Sequence, residues 1–153
     1  MNRLVSVLAL SLFACTHVCA AEPDYFGTWK FVSAAVAPWA DRAAAPDPAE
    51  KNALLGKTVA IKPKEISGPK TFACRTPKYR IVDYTADLLF QGAFGEMQSR
   101  DKSVDPLKLA ASVGFSGASF KTLETGCEFD WHFANPTEIK IGLNDYVYTL
   151  KKQ

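Results

Sequence analysis

A glycine two positions before a tryptophan opens the first apolar segment of the chain, and this feature most restricts the fold. The segment runs from Tyr25 to Phe31. Gly27 lets the backbone pass close to neighbouring strands, and Trp29 supplies a large apolar side chain that fills one end of a small core. The pattern therefore predicts structural roles for Gly27 and Trp29 at the start of a small antiparallel barrel.

Short segments of alternating apolar and polar residues continue along the chain and predict a mostly β fold. Turn residues separate them by intervals too short for the crossovers that parallel strands need. We expect an antiparallel barrel or rolled sheet of seven to eight strands with two short helices. The predicted strands are 26–36, 58–62, 71–75, 79–84, 119–125, 127–134, 138–143 and 146–151, with optional short pieces at 65–66 and 87–91.

Two stretches carry the signals that begin a helix. The first, 47–55, opens with Asp47 as N-cap, has Glu50 placed to reach back to the cap, and ends at Gly56. The second, 105–113, opens with an Asp-Pro pair. These signals predict both helices without any reference to tertiary packing.

Residues 1–20 have the composition of an export signal. The positive residue Arg3 precedes a short apolar run and then a small-residue cleavage site. The run is shorter than the roughly 20 residues that cross a bilayer. We expect no transmembrane segment, export to the periplasm or exterior, and one mature domain spanning 21–153. In the alternative interpretation, Cys15 is the lipid-anchored residue of a lipoprotein.

Cleavage after residue 20 leaves two cysteines, Cys74 and Cys127. Exported proteins meet an oxidising compartment, so these cysteines are expected to form a disulfide. Closing a loop of this length stabilises a fold by about 4 kcal/mol in the chain-entropy model. Two unpaired buried thiols are the alternative.

The charge of the predicted mature chain is almost balanced, with 17 basic and 16 acidic residues. No basic stripe runs through the sequence. The composition therefore gives no support for nucleic acid or an anionic membrane as partner.

Apolar and polar residues alternate most strictly in the segment 127–133. Its apolar side chains share one face, and Glu128, Asp130 and His132 share the other. A solvent-facing side of an antiparallel strand has this pattern, and so has a face that binds a ligand, a partner or a metal such as zinc. With one histidine in the mature chain, neither a metal site nor a Ser/His or Cys/His catalytic arrangement is predicted. A pair of carboxylates such as Glu124 and Glu128 can in principle supply general acid/base catalysis. Such pairs are also common on surface strands, so no catalytic site is predicted from this pair.

Gly27-Thr28-Trp29 on the first strand of a small exported β protein resembles the lipocalins and the wider calycin barrels. The segment 144–148 is similar to the second motif of that family, although it lies near the chain end and leaves no room for the family's C-terminal helix. In lipocalins the tryptophan closes the barrel floor beneath a cationic side chain, a role the resemblance implies for Lys151 or Lys152. It also implies a small apolar ligand.

These patterns predict a non-enzymatic binding protein without a cofactor. A ligand held in a barrel cavity would pass a mobile surface loop expected at 92–103. The alternative is a periplasmic inhibitor or immunity protein that binds its protein partner through a loop or sheet edge. The candidate ligand-binding residues are Glu128, Asp130, His132, Tyr146 and Tyr148.

Overall fold

The computed structural model describes residues 24–41 and 43–153. The predicted export segment 1–20, with Cys15, lies outside these residues. The described strands are β1 (Gly27–Val36), β2 (Thr58–Lys62), β3 (Glu65–Ser67), β4 (Arg80–Tyr84), β5 (Phe120–Glu124), β6 (Trp131–Asn135), β7 (Glu138–Leu143) and β8 (Tyr146–Lys152). The helices are α1 (Pro48–Leu54), α2 (Leu89–Arg100) and α3 (Pro106–Ser112), with short 3₁₀ helices at Lys70–Phe72 and Ala86–Leu88.

All eight strands form one antiparallel sheet in the order β3-β2-β1-β8-β7-β6-β5-β4. The sheet curls into a half-barrel, which confirms the predicted mostly β fold class. Its two end strands, β3 and β4, do not pair with each other. The sheet therefore keeps two edges that a closed barrel would not have.

Trp29 and Phe31 point to the same side of β1 and are fully buried, as the alternation predicts. The Trp29 indole donates a hydrogen bond from Nε1 to the carbonyl oxygen of Tyr25 at 3.0 Å. Lys152 Nζ lies 5.7 Å from the Trp29 ring centroid and donates to the Asp24 carbonyl oxygen at 2.6 Å. The last strand thus covers the tryptophan of the first.

A hydrophobic core lies on each face of the sheet. The inner core, on the concave face, consists mainly of Trp29, Phe31, Val59, Ile61, Phe72, Leu123, Trp131, Phe133, Ile139, Ile141, Tyr146, Tyr148 and Leu150. The outer core lies where α2 and α3 cover the convex face, and consists of Ala37, Ala86, Leu89, Phe90, Phe94, Ala110, Val113, Phe115, Phe120 and Val147. The predicted solvent face is therefore wrong at His132, which has no exposed surface because α2 packs on it.

The strand predicted at 87–91 and the surface loop predicted at 92–103 are both wrong. A 3₁₀ helix and then α2 occupy residues 86–100, so that only 101–103 of the predicted loop lie outside regular structure. The helix forms because the apolar side chains of Leu89, Phe90 and Phe94 are buried against the sheet. Gly95 lets α2 lie directly on the preceding turn, since a Cβ there would lie 3.0 Å from the Asp87 carbonyl oxygen. The chain therefore has a third helix that its sequence pattern does not indicate.

The strand predicted at 71–75 is also wrong. A 3₁₀ helix forms instead, its Phe72 ring is buried in the inner core, and Cys74 makes only an isolated bridge to Ile66 of β3. Cys74 and Cys127 lie at disulfide-bonding distance, with their Cα atoms 6.4 Å apart. Since Cys127 follows β5, this pair connects the two ends of the open sheet.

The strand predicted at 127–134 begins later, at Trp131. The Thr125 hydroxyl donates to the Phe129 carbonyl oxygen at 3.1 Å and accepts from the Cys127 N–H at 3.2 Å. These side-chain hydrogen bonds stabilise a turn around Gly126 and displace regular pairing. The remaining predicted strands agree with the structure within one residue at each end, at 26–36, 58–62, 65–66, 79–84, 119–125, 138–143 and 146–151.

The predicted ends of α1 are confirmed, with one correction. Asp47 Oδ1 accepts a hydrogen bond from the Ala49 N–H at 2.8 Å, and Gly56 follows with a φ of 81°. Glu50 does not reach back to the cap. Its Oε1 accepts instead from Asn144 Nδ2 at 2.8 Å, so the β7–β8 turn holds α1.

The helix predicted at 105–113 is confirmed as α3, and Asp105 Oδ1 accepts from the Leu107 N–H at 2.9 Å. The longest described helix, α2, has 12 residues. None of the described helices has the length and apolar character needed to cross a membrane.

Candidate functional site

A groove of about 430 Å³ lies on the convex side of the sheet, beside the end strand β4. We call it the β4 groove. It forms where the first turn of α2 stands next to β4 and the chain that precedes β6. Its lining residues are Val82, Asp83, Tyr84, Leu88, Gln91, Gly92, Glu124 and Asp130.

Three of these eight lining residues are acidic and none is basic. The antiparallel register places Arg80 opposite Glu124, and Arg80 Nε donates to Glu124 Oε2 at 2.9 Å. Asp83 has a partner in Lys121, whose Nζ lies 3.0 Å from Asp83 Oδ1. Two of the acidic residues are thus neutralised on the protein itself.

Tyr84 connects the two carboxylates at the centre of the groove. Its hydroxyl donates to Glu124 Oε1 at 2.9 Å and lies 3.3 Å from Asp130 Oδ2. Burial raises the pKa of the Tyr84 hydroxyl, so it remains a donor. The hydrogen bond from Arg80 lowers the pKa of Glu124, which keeps that carboxylate charged.

Asp130 is the acidic residue of the groove that lacks compensation. Among the described residues, no basic nitrogen lies within ion-pair distance of its carboxylate. Burial raises the pKa of Asp130, in opposition to the hydrogen bond from Tyr84. A half-buried carboxylate of this kind favours a cation supplied from outside the chain.

His132 lies beneath the groove and does not face solvent. Its Nε2 accepts from the Phe90 N–H at 3.0 Å, and its Nδ1 lies 2.9 Å from Thr122 Oγ1. Because Nε2 accepts, the proton is on Nδ1, which donates to the threonine. Burial lowers the His132 pKa to about 3. The arrangement makes His132 an anchor for the start of α2.

The anchored segment is a left-handed turn. Phe90, Gln91 and Gly92 have φ values of 54°, 56° and 82°. For L-residues this conformation costs about 1–2 kcal/mol per residue, and such strain often lies at functional sites. The turn brings Gln91 to the wall of the β4 groove.

Aromatic packing holds this turn on the sheet. The Phe90 ring lies 5.2 Å from the Trp39 ring and 5.1 Å from the His132 ring, measured between centroids. The Trp39 and Phe90 rings pack on β7 at Gly142, where a Cβ would lie 3.0 Å from Trp39 Cη2 and 3.1 Å from Phe90 Cδ1. Gly142 therefore permits the contact between the strand and the turn.

A second cavity, of about 370 Å³, lies at the mouth of the half-barrel beside the Cys74–Cys127 pair. We call it the mouth cavity. Its walls combine apolar and polar side chains from the 3₁₀ helix and the β5–β6 turn. They are Ile66, Lys70, Thr71, Phe72, Ala73, Thr125, Cys127, Glu128, Phe129 and Trp131.

The predicted binding residues do not form one site. Asp130 lines the β4 groove, His132 is buried below it, and Glu128 lines the mouth cavity. Tyr146 and Tyr148 belong to the inner core. The Tyr146 hydroxyl donates to the Asp47 carbonyl oxygen at 3.2 Å, and the buried Tyr148 hydroxyl has no hydrogen-bond partner among the described residues.

Sequence reasoning missed Arg80, Tyr84 and Gln91. The Tyr84 hydroxyl meets Glu124 and Asp130 from 40 and 46 positions away, so no local spacing indicates the cluster. Glu124 and Glu128, considered as a carboxylate pair, line different cavities.

Across residues 24–41 and 43–153, no group of three or more His, Cys, Asp or Glu side chains is placed to hold a metal ion. Comparison with known proteins gives no match to a family model, a curated protein or a solved structure.

Proposed function

We propose that the chain is a non-enzymatic, exported binding protein that holds an extended segment of a protein partner along β4. In this arrangement the segment adds a strand to the half-barrel. A basic side chain of the segment lies in the β4 groove against Asp130. The observation that carries the proposal is this juxtaposition of a free sheet edge and an uncompensated carboxylate.

The free edge supplies the backbone part of the interaction. β4 has five residues and pairs with β5 on one side only. Alternate peptide groups of an end strand face away from the sheet and can bond to another chain. The edge on the other side, β3, has three residues and a bridge to Cys74. β4 is therefore the more suitable strand for a partner.

The groove supplies the side-chain part. Successive residues of an added strand point to opposite faces, so every second side chain of the partner would lie on the convex side. There it would meet apolar surface at Val82 and at Leu88, which is 48% exposed. It would also meet Asp130, where a lysine or arginine would compensate the half-buried charge.

The packed interior favours a surface site over a ligand inside the sheet. Trp29, Phe31, Trp131 and Tyr148 fill the concave side with almost no exposed surface. Tyr146 and Tyr148, expected to bind ligand, contribute to this packing. The support thus lies with the alternative drawn from the sequence, a protein that binds through a sheet edge.

A selection experiment tests the proposal. A library of random 12-residue peptides is displayed and selected on the immobilised protein, and affinities of the selected peptides are measured by fluorescence anisotropy. We expect peptides with a lysine or arginine among alternating apolar residues. Asp130→Asn should weaken their binding about tenfold or more, since charge-assisted hydrogen bonds contribute about 1.5–3 kcal/mol. Val82→Arg, which places a cation on the groove wall, should weaken it further.

Glu65→Gln is the matched control, because it removes an exposed carboxylate from the opposite end strand. It should leave the affinity unchanged. Selected peptides that bind equally well to wild type, Asp130→Asn and Val82→Arg would contradict the proposal, as would a selection without any specific binder.

A further inference from the structure

We infer that the mouth cavity is a separate binding site for a small amphipathic molecule with an aromatic body and a zwitterionic head. An aromatic amino acid has this chemistry. The inference does not depend on β4, since the two cavities share no lining residue. It rests on the volume of the cavity, its aromatic wall and the charges at its rim.

The volume fits one small molecule. At about 370 Å³, the cavity lies near the lower end of the 300–1,000 Å³ that ligand sites commonly have. It lies beside the inner core, next to the 3₁₀ helix Lys70–Phe72, all three residues of which line it.

The wall is aromatic. The Phe72 ring centroid lies 4.9 Å from that of Phe129 and 6.0 Å from that of Trp131. The Phe72 and Phe129 rings are tilted against each other, and the Phe72 and Trp131 rings meet edge to face. All three rings line the cavity from buried positions. Tilted rings of this kind pack well against the edge or face of another aromatic ring. The wall thus suits the body of an aromatic ligand.

The rim carries opposite charges. Lys70 and Glu128 both line the cavity and are exposed. Neither side chain makes a hydrogen bond or an ion pair with another described residue. The Lys70 ammonium and the Glu128 carboxylate therefore favour a ligand that carries both charges. The carboxylate of the ligand meets Lys70, and its ammonium meets Glu128.

The rim is held by the Cys74–Cys127 pair and by a backbone bridge from Cys74 to β3. Cys127 lines the cavity, and its partner Cys74 adjoins the lining residue Ala73. Cys74 bonds in turn to Ile66, with N···O distances of 2.7 and 2.8 Å between the two backbones. The wall is therefore fixed before a ligand arrives, which limits the entropic cost of binding.

Isothermal titration with L-phenylalanine as the probe tests the inference. N-acetylphenylalanine and phenylalaninamide are the matched analogues, each with one charge of the head removed. We expect both analogues to bind about fivefold more weakly than phenylalanine, as the loss of one exposed ion pair implies. Lys70→Met and Glu128→Gln should each weaken phenylalanine binding by a similar factor.

Ala73→Trp is the variant that locates the site. Ala73 is exposed and lines the cavity, so a tryptophan there fills the space without removing a core side chain. It should abolish binding, while circular dichroism shows that the fold is kept. Lys64→Met, in the β2–β3 turn, and Glu65→Gln, at the start of β3, both lie outside the cavity and should leave binding unchanged.

Three results would overturn the inference. The first is no heat of binding for phenylalanine at millimolar concentration. The second is binding that survives Ala73→Trp. The third is equal affinity for phenylalanine and its two analogues, which would exclude a zwitterion site. None of these results bears on peptide binding at β4.

Discussion

His132 Nε2 accepts a hydrogen bond from the backbone N–H of Phe90, 42 positions earlier in the chain. The bond joins β6 to the left-handed turn that begins α2. It requires a neutral imidazole, because a protonated ring has no acceptor nitrogen. The helix that forms one wall of the β4 groove is thus held to the sheet by an uncharged histidine.

This dependence predicts a loss of stability in acid. An unfolded histidine titrates near pH 6.5, whereas burial lowers the pKa of His132 in the folded protein to about 3. Between these values the unfolded state binds a proton that the folded state does not. The free energy of unfolding should therefore fall as the pH falls, by up to about 1.4 kcal/mol per pH unit from this group.

Urea unfolding between pH 7.5 and 4.5 measures this effect, with His132→Gln as the control. Glutamine retains an acceptor and a donor but does not titrate. The wild type should lose more stability than the variant over this range, since the carboxylates are common to both. Parallel pH profiles would show that His132 is not buried in its neutral form.

The left-handed turn predicts a stabilising substitution at Gln91. Its φ is 56° and its side chain is exposed, so Gln91→Gly should relieve strain and raise the free energy of unfolding by about 1 kcal/mol. Gln98→Gly is the matched control, because Gln98 lies in the regular part of α2. There glycine should lower stability by about 1 kcal/mol. If both substitutions lowered the free energy of unfolding by similar amounts, Gln91 would have the right-handed helical conformation.

Burial of Trp29 predicts a large loss of stability on truncation. Trp29→Ala should lower the free energy of unfolding by about 3–5 kcal/mol, measured by urea denaturation. Phe26→Ala provides the comparison, because Phe26 is 37% exposed and should cost about 1 kcal/mol. A loss at Trp29 no greater than that at Phe26 would place the indole at the surface.

The disulfide predicted between Cys74 and Cys127, whose Cα atoms lie 6.4 Å apart, implies a strong response to reduction. Mass spectrometry of peptides from the unreduced protein should find the two cysteines linked. Reduction should lower the free energy of unfolding by about 4 kcal/mol, given the 53-residue separation. Free thiols at both positions in protein from an oxidising compartment would contradict the predicted disulfide.

Local sequence patterns predict the elements that local interactions stabilise. Asp47 and Asp105 signal their helices because each caps its own first turn. The alternation around Trp29 predicts β1 because residues two positions apart point to the same face of a strand. The curled sheet follows from such strands.

Local sequence patterns do not predict the outer core, since contacts between residues that are distant in the sequence stabilise it. Phe90 takes a left-handed conformation because Trp39 and His132 enclose it, and Gly92 and Gly95 interrupt the apolar periodicity of α2. Because the sequence does not indicate α2, the alternation at His132 predicts a solvent-facing side of the strand. The β4 groove is hidden for the same reason, because its polar residues meet only in the folded chain.

Hydrogen exchange at the backbone amides of residues 80–84, with and without a saturating selected peptide, tests most directly whether β4 receives a partner strand. The account predicts that the β4 amides facing away from β5 exchange at least about tenfold more slowly in the complex, since each gains a hydrogen bond. Unchanged exchange throughout β4 while the peptide is bound would contradict it.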